Sequence, residues 1–248
     1  YEAAAGLDPV LQTRAGGTPL LWFGLFRERF EVAPGSLKPR GGYSLSEWRP
    51  SIARPAYDEG IRRHREYIAA GDTYQVNFTF RMRAAFTGDD RAFYRDLCRS
   101  QRASYCAYLD LGRYRILSAS PELFFALQDG VLTTRPMKGT RPRGRWLQED
   151  EELVAALRES EKDRAENVMI VDLLRNDLGR ISEAGSVDVP RLWEVERYET
   201  VLQMTSTLRS RLRSGVGLTE LFAALFPCGS VTGAPKVRTM QIIAELED

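Results

Sequence analysis

Residues 104–135 read Ser104-Tyr-Cys-Ala-Tyr-Leu-Asp-Leu-Gly-Arg-Tyr-Arg-Ile-Leu-Ser-Ala-Ser-Pro-Glu-Leu-Phe-Phe-Ala-Leu-Gln-Asp-Gly-Val-Leu-Thr-Thr-Arg135. This stretch predicts four successive strands, at Ser104–Asp110, Tyr114–Ser118, Leu123–Gln128 and Val131–Arg135. Downstream, Glu149–Arg158 and Glu161–Leu178 have helical patterning, the second closed by Gly179. A further strand fits Tyr198–Arg211 and a further helix Leu218–Leu225. Upstream, Tyr57–Ala70 reads as a helix stopped by Gly71. Thr73–Arg83 reads as one strand, because Tyr74, Val76, Phe78 and Phe80 alternate with Gln75, Asn77 and Thr79. Hairpins and helices in separate runs, rather than alternating βαβ units, predict an α+β layered domain.

The ends of the chain carry weaker signals. Residues 1–56 are rich in Gly, Pro and Arg, with one strand-like apolar run at Leu20–Phe26. Val237, Met240, Ile243 and Leu246 recur at helical spacing with no Gly or Pro stop, so a helix is expected to run through Asp248. With no methionine at Tyr1, the chain is expected to be a piece of a longer one.

Composition removes several function classes. In 248 residues, 35 Lys and Arg stand against 34 Asp and Glu, a net charge of +1, which gives no electrostatic case for a nucleic-acid or membrane-surface protein. With 43% hydrophobic and 10% aromatic residues the chain can bury a core, so disorder is excluded. No run of about 18 apolar residues occurs to span a bilayer. Cys98, Cys106 and Cys228 lack C-x-x-C spacing and read as small buried hydrophobes in a reducing cytoplasm. His64, the single histidine, lies on the apolar face of its helix and reads as structural.

Four segments carry possible chemistry. In Arg135-Pro-Met-Lys-Gly-Thr-Arg-Pro-Arg-Gly144, Lys138 is flanked by Arg135, Arg141 and Arg143; neighbouring positive charge would favour its neutral, nucleophilic form. A solvated basic loop is the other reading. Gly229-Ser-Val-Thr-Gly-Ala-Pro-Lys236 leads into a helix, so its backbone could form an anion-binding nest or a plain helix-entry turn; it lacks the Walker A ending. Asp163 and Glu166 share one face of a helix, a spacing usable for Mg²⁺ and equally stabilising against the helix dipole. Ser118-Ala-Ser-Pro-Glu122 presents a carboxylate after a proline turn.

Together these segments resemble the chorismate-utilising enzymes, and within them the branch that forms aminodeoxychorismate. The resemblance is carried by Gly71-Asp-Thr-Tyr-Gln-Val-Asn77, Ser118–Glu122, Pro136-Met-Lys-Gly-Thr140, Lys162–Asp177 and Gly229–Lys236, which occur in family order. It implies an anthranilate synthase-like fold of two stacked β-sheets flanked by helices. Residues 57–248 would be a chorismate-binding catalytic domain truncated at its C-terminus, and 1–56 an N-terminal segment. Anthranilate-forming relatives usually carry Ala where this chain has Lys138, and isochorismate-forming relatives carry a water-activating Lys where it has Gln75. An amide at 75 cannot serve as a general base for water. Many relatives have a His at the position of Gln203, which this chain lacks.

The resemblance also implies roles. Lys138 would attack C2 of chorismate, Glu122 would act as the acid that assists departure of the C4 hydroxyl, and ammonia would then add at C4 to give 4-amino-4-deoxychorismate, a precursor of para-aminobenzoate and folate. Gln75, Asn77, Gly139, Thr140, Gly229, Ser230, Thr232, Gly233 and Lys236 would hold substrate. Glu166, with Asp163, would hold part of a Mg²⁺ ion. Ammonia would come from a separate glutamine amidotransferase subunit. Anthranilate synthase component I, or a catalytically incomplete chorismate-binding fragment, is the alternative, and residues 1–248 alone are expected to be inactive.

Overall fold

In the computed structural model, which describes residues 2–11, 13, 17–33 and 35–247, helices and antiparallel strands mix in two compact units. The first comprises residues 1–20, 55–79 and 123–248; the second comprises 21–54 and 80–122. The expected N-terminal segment is thus shared between them, residues 1–20 going with the first unit and 21–54 with the second.

The first unit is organised by one long strand, Val201–Arg211. One of its edges pairs with Asp188–Arg197. The other pairs with Met137–Pro142 and then with Val131–Arg135, whose far edge takes Leu123–Gln128. All pairs are antiparallel, and the sheet has five strands. Side chains alternate across it, so Leu202, Met204 and Leu208 share one face. That face is covered by two helices, Leu147–Glu159 and Glu161–Gly179.

The second helix is set locally by its cap. The Ser160 hydroxyl accepts from the Asp163 N–H there. Ile170, Leu174 and Leu178 then recur every four residues, an apolar stripe buried against Leu132, Leu208, Leu221 and Leu225. Val154 and Leu157 of the first helix pack on Val195, Leu202 and Met204. Each of these fully buried aliphatic side chains contributes about 1.5–3 kcal/mol relative to exposure.

In the second unit, Tyr105–Asp110 and Arg115–Ser120 form a hairpin, and the helix Asp90–Gln101 packs on it. Two shorter ribbons pair Tyr43–Leu45 with Phe86–Gly88 and Arg49–Pro50 with Met82–Arg83. The Cys98 and Cys106 thiols interact here, and burial together with that contact pushes the Cys106 thiol up. The higher pKa disfavours the reactive thiolate, but Cys98, Cys106 and Cys228 are all only partly buried, so they are not the buried hydrophobes expected.

Several expectations need correction. Thr73–Arg83 is not one strand: Gln75–Val76 pairs with Gly233–Ala234 in the first unit, while Met82–Arg83 belongs to the second. Tyr74 is exposed, so the alternation does not mark a buried face there. Leu20–Phe26 forms no strand; its side chains are exposed and no described strand pairs with it. The last helix spans Lys236–Leu246, and Glu247 is already extended at φ −97°, ψ 151°. Its carboxylate accepts from the Thr79 N–H and hydroxyl, which turns the chain out of the helix; Asp248 lies outside the described residues. His64 is buried as expected, its Nδ1 2.6 Å from the Gly60 carbonyl.

Candidate active site

Lys138 lies in a strand, not in a loop. Met137 pairs with Thr205 and Thr140 with Gln203, so Lys138 and Gly139 together oppose Met204. This is a β-bulge, a device that re-aims a side chain out of the regular pleat. Gly139 makes it possible. Its φ is +91°, and a Cβ there would sit 3.0 Å from the Asp163 Cβ and 3.3 Å from Leu157 Cδ1.

The basic neighbours of Lys138 are each matched by a carboxylate. Arg135 pairs with Glu196 at 3.2 Å, Arg141 with Asp163 at 2.8 Å and Arg143 with Asp150 at 2.6 Å. The expected cluster of three uncompensated guanidiniums around the lysine is therefore not seen. Those pairs instead fasten the strand Met137–Pro142 and the turn after it to the covering helices and the sheet.

Asp150 is the strongest such anchor. Its carboxylate, 5% exposed, accepts from Arg143 Nε and Nη2, from the Gly144 N–H and from Arg197 Nε. Arg143 first, then the Gly144 N–H and Arg197, hold its carboxyl down to about 2 from an ordinary 3.8. A folded-state pKa below the unfolded one means that the stabilisation is complete above about 4 and is lost as pH falls towards 2. Asp150→Asn should therefore flatten the acid limb of the denaturation curve between pH 4 and 2 and lower stability at pH 7. An unchanged acid limb would show that this carboxylate does not govern it.

The amine of Lys138 meets a small amide network. Lys138 Nζ donates to Asn77 Oδ1 at 3.4 Å, and Gln75 Nε2 donates to the same oxygen at 3.2 Å. Asn77 Nδ2 donates to the Ser230 carbonyl at 2.6 Å, and the Asn77 N–H to the Thr232 carbonyl at 2.8 Å. Gln75 Oε1 is buried without a hydrogen-bond partner. Three segments distant in sequence, 75–77, 138 and 229–232, are thus brought together by one asparagine.

The loop Gly229–Gly233 is closed on itself. The Val231 and Thr232 N–H groups donate to the Cys228 and Gly229 carbonyls, and the Thr232 hydroxyl to the Cys228 carbonyl. The Ser230 hydroxyl lies 3.1 Å from Cys228 Sγ. Gly229 and Gly233 are there for close approach: added Cβ atoms would fall 2.3 Å from Leu173 Cδ2 and 2.1 Å from the Gln75 carbonyl. Lys236 points into the protein, with Nζ 2.6 Å from Asp177 Oδ2 and 3.4–3.5 Å from the Ala224 and Leu225 carbonyls. Burial pushes the Asp177 carboxyl up, while Lys236 draws it down.

The expected Mg²⁺ ligands differ in availability. Asp163 is buried and paired with Arg141, so it does not fit a metal while that pair persists. Glu166 is half-buried, with Lys162 at 3.8 Å across an exposed helix turn, and fits as one carboxylate ligand. Among the described residues no three His, Cys, Asp or Glu side chains gather into a metal site. Glu122 ends the second unit, in a turn where the Ser120 hydroxyl and the Glu122 backbone lie 3.3 Å apart.

Two residues that organise this site escape a reading by motif. Gln203, noted only as a departure from the family His, donates through Nε2 to the Gly139 carbonyl and accepts at Oε1 from the Thr140 hydroxyl. Asp177 is the buried counter-ion of Lys236; it closes the quoted segment Lys162–Asp177, but with polar Asp172, Arg175 and Asn176 beside it nothing local marks it as the buried one.

Comparison with known proteins agrees with this fold. The family described as chorismate binding enzyme matches residues 1–248. Aminodeoxychorismate synthase component 1 of Klebsiella aerogenes is 46% identical over 202 residues, covering 82% of this chain and 45% of that protein. Anthranilate synthase component 1 of Aquifex aeolicus is 41% identical over 204 residues, covering 82% of this chain and 41% of that protein. The crystal structure of anthranilate synthase component I from Streptococcus pneumoniae superposes with a TM-score of 0.75 at 36% identity, covering 85% of this chain and 45% of that one. The chain belongs to the chorismate-binding enzymes, and it spans about half the length of the curated relatives it matches. No described helix is long and apolar enough to cross a membrane.

Proposed function

We propose that the whole protein containing these residues aminates chorismate to 4-amino-4-deoxychorismate. The observation that carries this reading is the chemistry of the network: one amine, Lys138, on the Asn77 amide oxygen, to which the Gln75 amide also donates. An amine there can act as a nucleophile, whereas the amides cannot deprotonate water, which disfavours hydroxylation. The similarity to relatives named aminodeoxychorismate synthase component 1 supports the same branch.

In this reading the Lys138 amine, once it has given its proton to solvent, attacks C2 of chorismate, the two conjugated ring double bonds shift, and the C4–oxygen bond breaks. Glu122 supplies the proton with which the C4 oxygen leaves as water. Ammonia then attacks C4, the double bonds shift back, and the C2–nitrogen bond breaks to free Lys138. Gln75, Asn77, Gly139 and Thr140 are the proposed substrate contacts. Gly229, Ser230, Thr232, Gly233 and Lys236 shape the loop behind them. Mg²⁺ is the proposed ion, with Glu166 as one ligand; bound, it would neutralise a substrate carboxylate. A glutamine amidotransferase subunit would supply ammonia, in keeping with relatives named as a component 1, and the protein would act in the cytoplasm.

The whole protein, incubated with chorismate, Mg²⁺ and ammonium, is expected to give aminodeoxychorismate by chromatography, and with glutamine in place of ammonium only once the second subunit is added. Anthranilate as the product would move the protein to the other branch, and isochorismate would contradict the reading of Gln75.

A further inference from the structure

We infer that Gln203 is a positioning residue for Lys138: its side-chain amide fixes the bulge on which that amine is mounted. The inference rests on the proposed function only for what Lys138 does, not for how it is held.

A bulge leaves a backbone group of the ladder without its regular partner. Here the Gly139 carbonyl receives a side-chain donor instead, Gln203 Nε2 at 2.9 Å. The other end of the same amide, Oε1, accepts from the Thr140 hydroxyl at 2.8 Å. A primary amide presents a donor and an acceptor side by side in one plane, so it can clasp two consecutive residues. The orientation is fixed by chemistry, since a flipped amide would set oxygen against the Gly139 carbonyl. Imidazole carries its two nitrogens on different edges of the ring and cannot make both contacts in this way.

The clasped residues directly follow Lys138. On its far side Gly139 abuts Asp163 and Leu157, so the bulge is held between the helices and Gln203. Releasing the amide frees Gly139 and Thr140 to re-pair in regular register. Regular pairing would leave one residue, instead of both Lys138 and Gly139, opposite Met204, and so re-aim the amine that now meets Asn77. A misplacement of ~1 Å at a reacting group can cost about 100-fold in rate.

The test compares Gln203→Leu, which removes both contacts, with the isosteric Gln203→Glu, which keeps the acceptor but sets a carboxylate against the Gly139 carbonyl. Reductive methylation of each lysine is followed by peptide mass spectrometry in the whole protein, with exposed Lys162 as internal reference. Both variants should change the Lys138 rate by at least about threefold while Lys162 stays constant and the thermal midpoint stays close to that of wild type. In the amination assay kcat should fall by about 100-fold, well beyond any change in KM for chorismate that loosening Gly139 and Thr140 brings. An unchanged Lys138 methylation rate in both variants would overturn the inference. A changed rate in a protein that aminates nothing would retain the positioning role and reject the proposed function.

Discussion

In the whole protein, Lys138→Ala is expected to lower aminated product by at least about 10³-fold, while chorismate binding is retained within a few-fold. Removing a nucleophile deletes the covalent route, whereas substrate contacts elsewhere remain. The loss should exceed that of any neighbouring substitution, because Gln75, Asn77 and Gln203 act by holding the amine or the substrate. Turnover by Lys138→Ala within tenfold of wild type would remove Lys138 from the chemistry and leave the bulge as a structural feature alone.

The second large effect is on stability. Lys236 and Asp177 form a buried pair, 12% and 5% exposed, that ties the start of the last helix to the end of the helix Glu161–Gly179. Breaking such a pair by removing one partner leaves the other charge uncompensated, at a cost of about 3–5 kcal/mol. Lys236→Met should therefore destabilise strongly, as should Asp177→Ala, and the double variant Lys236→Met, Asp177→Leu should recover much of the loss. Urea unfolding measures this directly. Single variants within about 1 kcal/mol of wild type would show that the pair does not hold these helices together.

Where the chain could be read from sequence, one physical cue dominated. Leu123–Gln128, Val131–Arg135 and Leu218–Leu225 are apolar enough that pattern and structure coincide. Asp188–Arg197 went unread because it is an edge strand with two bulges, carrying Pro190 and four charged residues from Arg191 to Arg197. Such a strand is defined by its partner, Val201–Arg211, and not by its own periodicity. Met137–Pro142 read as a basic loop for the same reason: its Lys, Gly, Arg and Pro are poor strand formers, and only pairing with residues 201–205 makes it a strand. The helix Asp90–Gln101 did carry a signal, the N-cap Asp89 whose side chain accepts from the Arg91 N–H.

The site was legible as a set of segments and not as a geometry. Lys138, Gln75 and Asn77 are marked by motif, and the structure joins them through one oxygen of Asn77. The inward turn of Lys236 could not be read locally, because its partner lies fifty-nine residues earlier, on another helix. The three arginines around Lys138 misled in the same way. Their charge is visible in sequence, whereas the carboxylates that neutralise it come from Asp150, Asp163 and Glu196 on other elements.

The most direct test of the central claim is to trap Lys138 during turnover. The whole protein is mixed with chorismate at limiting ammonium, quenched at successive times and digested, and the peptide containing Lys138 is weighed. The account predicts a mass increase equal to chorismate less one water, confined to Lys138, which disappears on addition of ammonium as aminodeoxychorismate appears. Product formed in a single turnover with Lys138 unmodified at every quench time would contradict it.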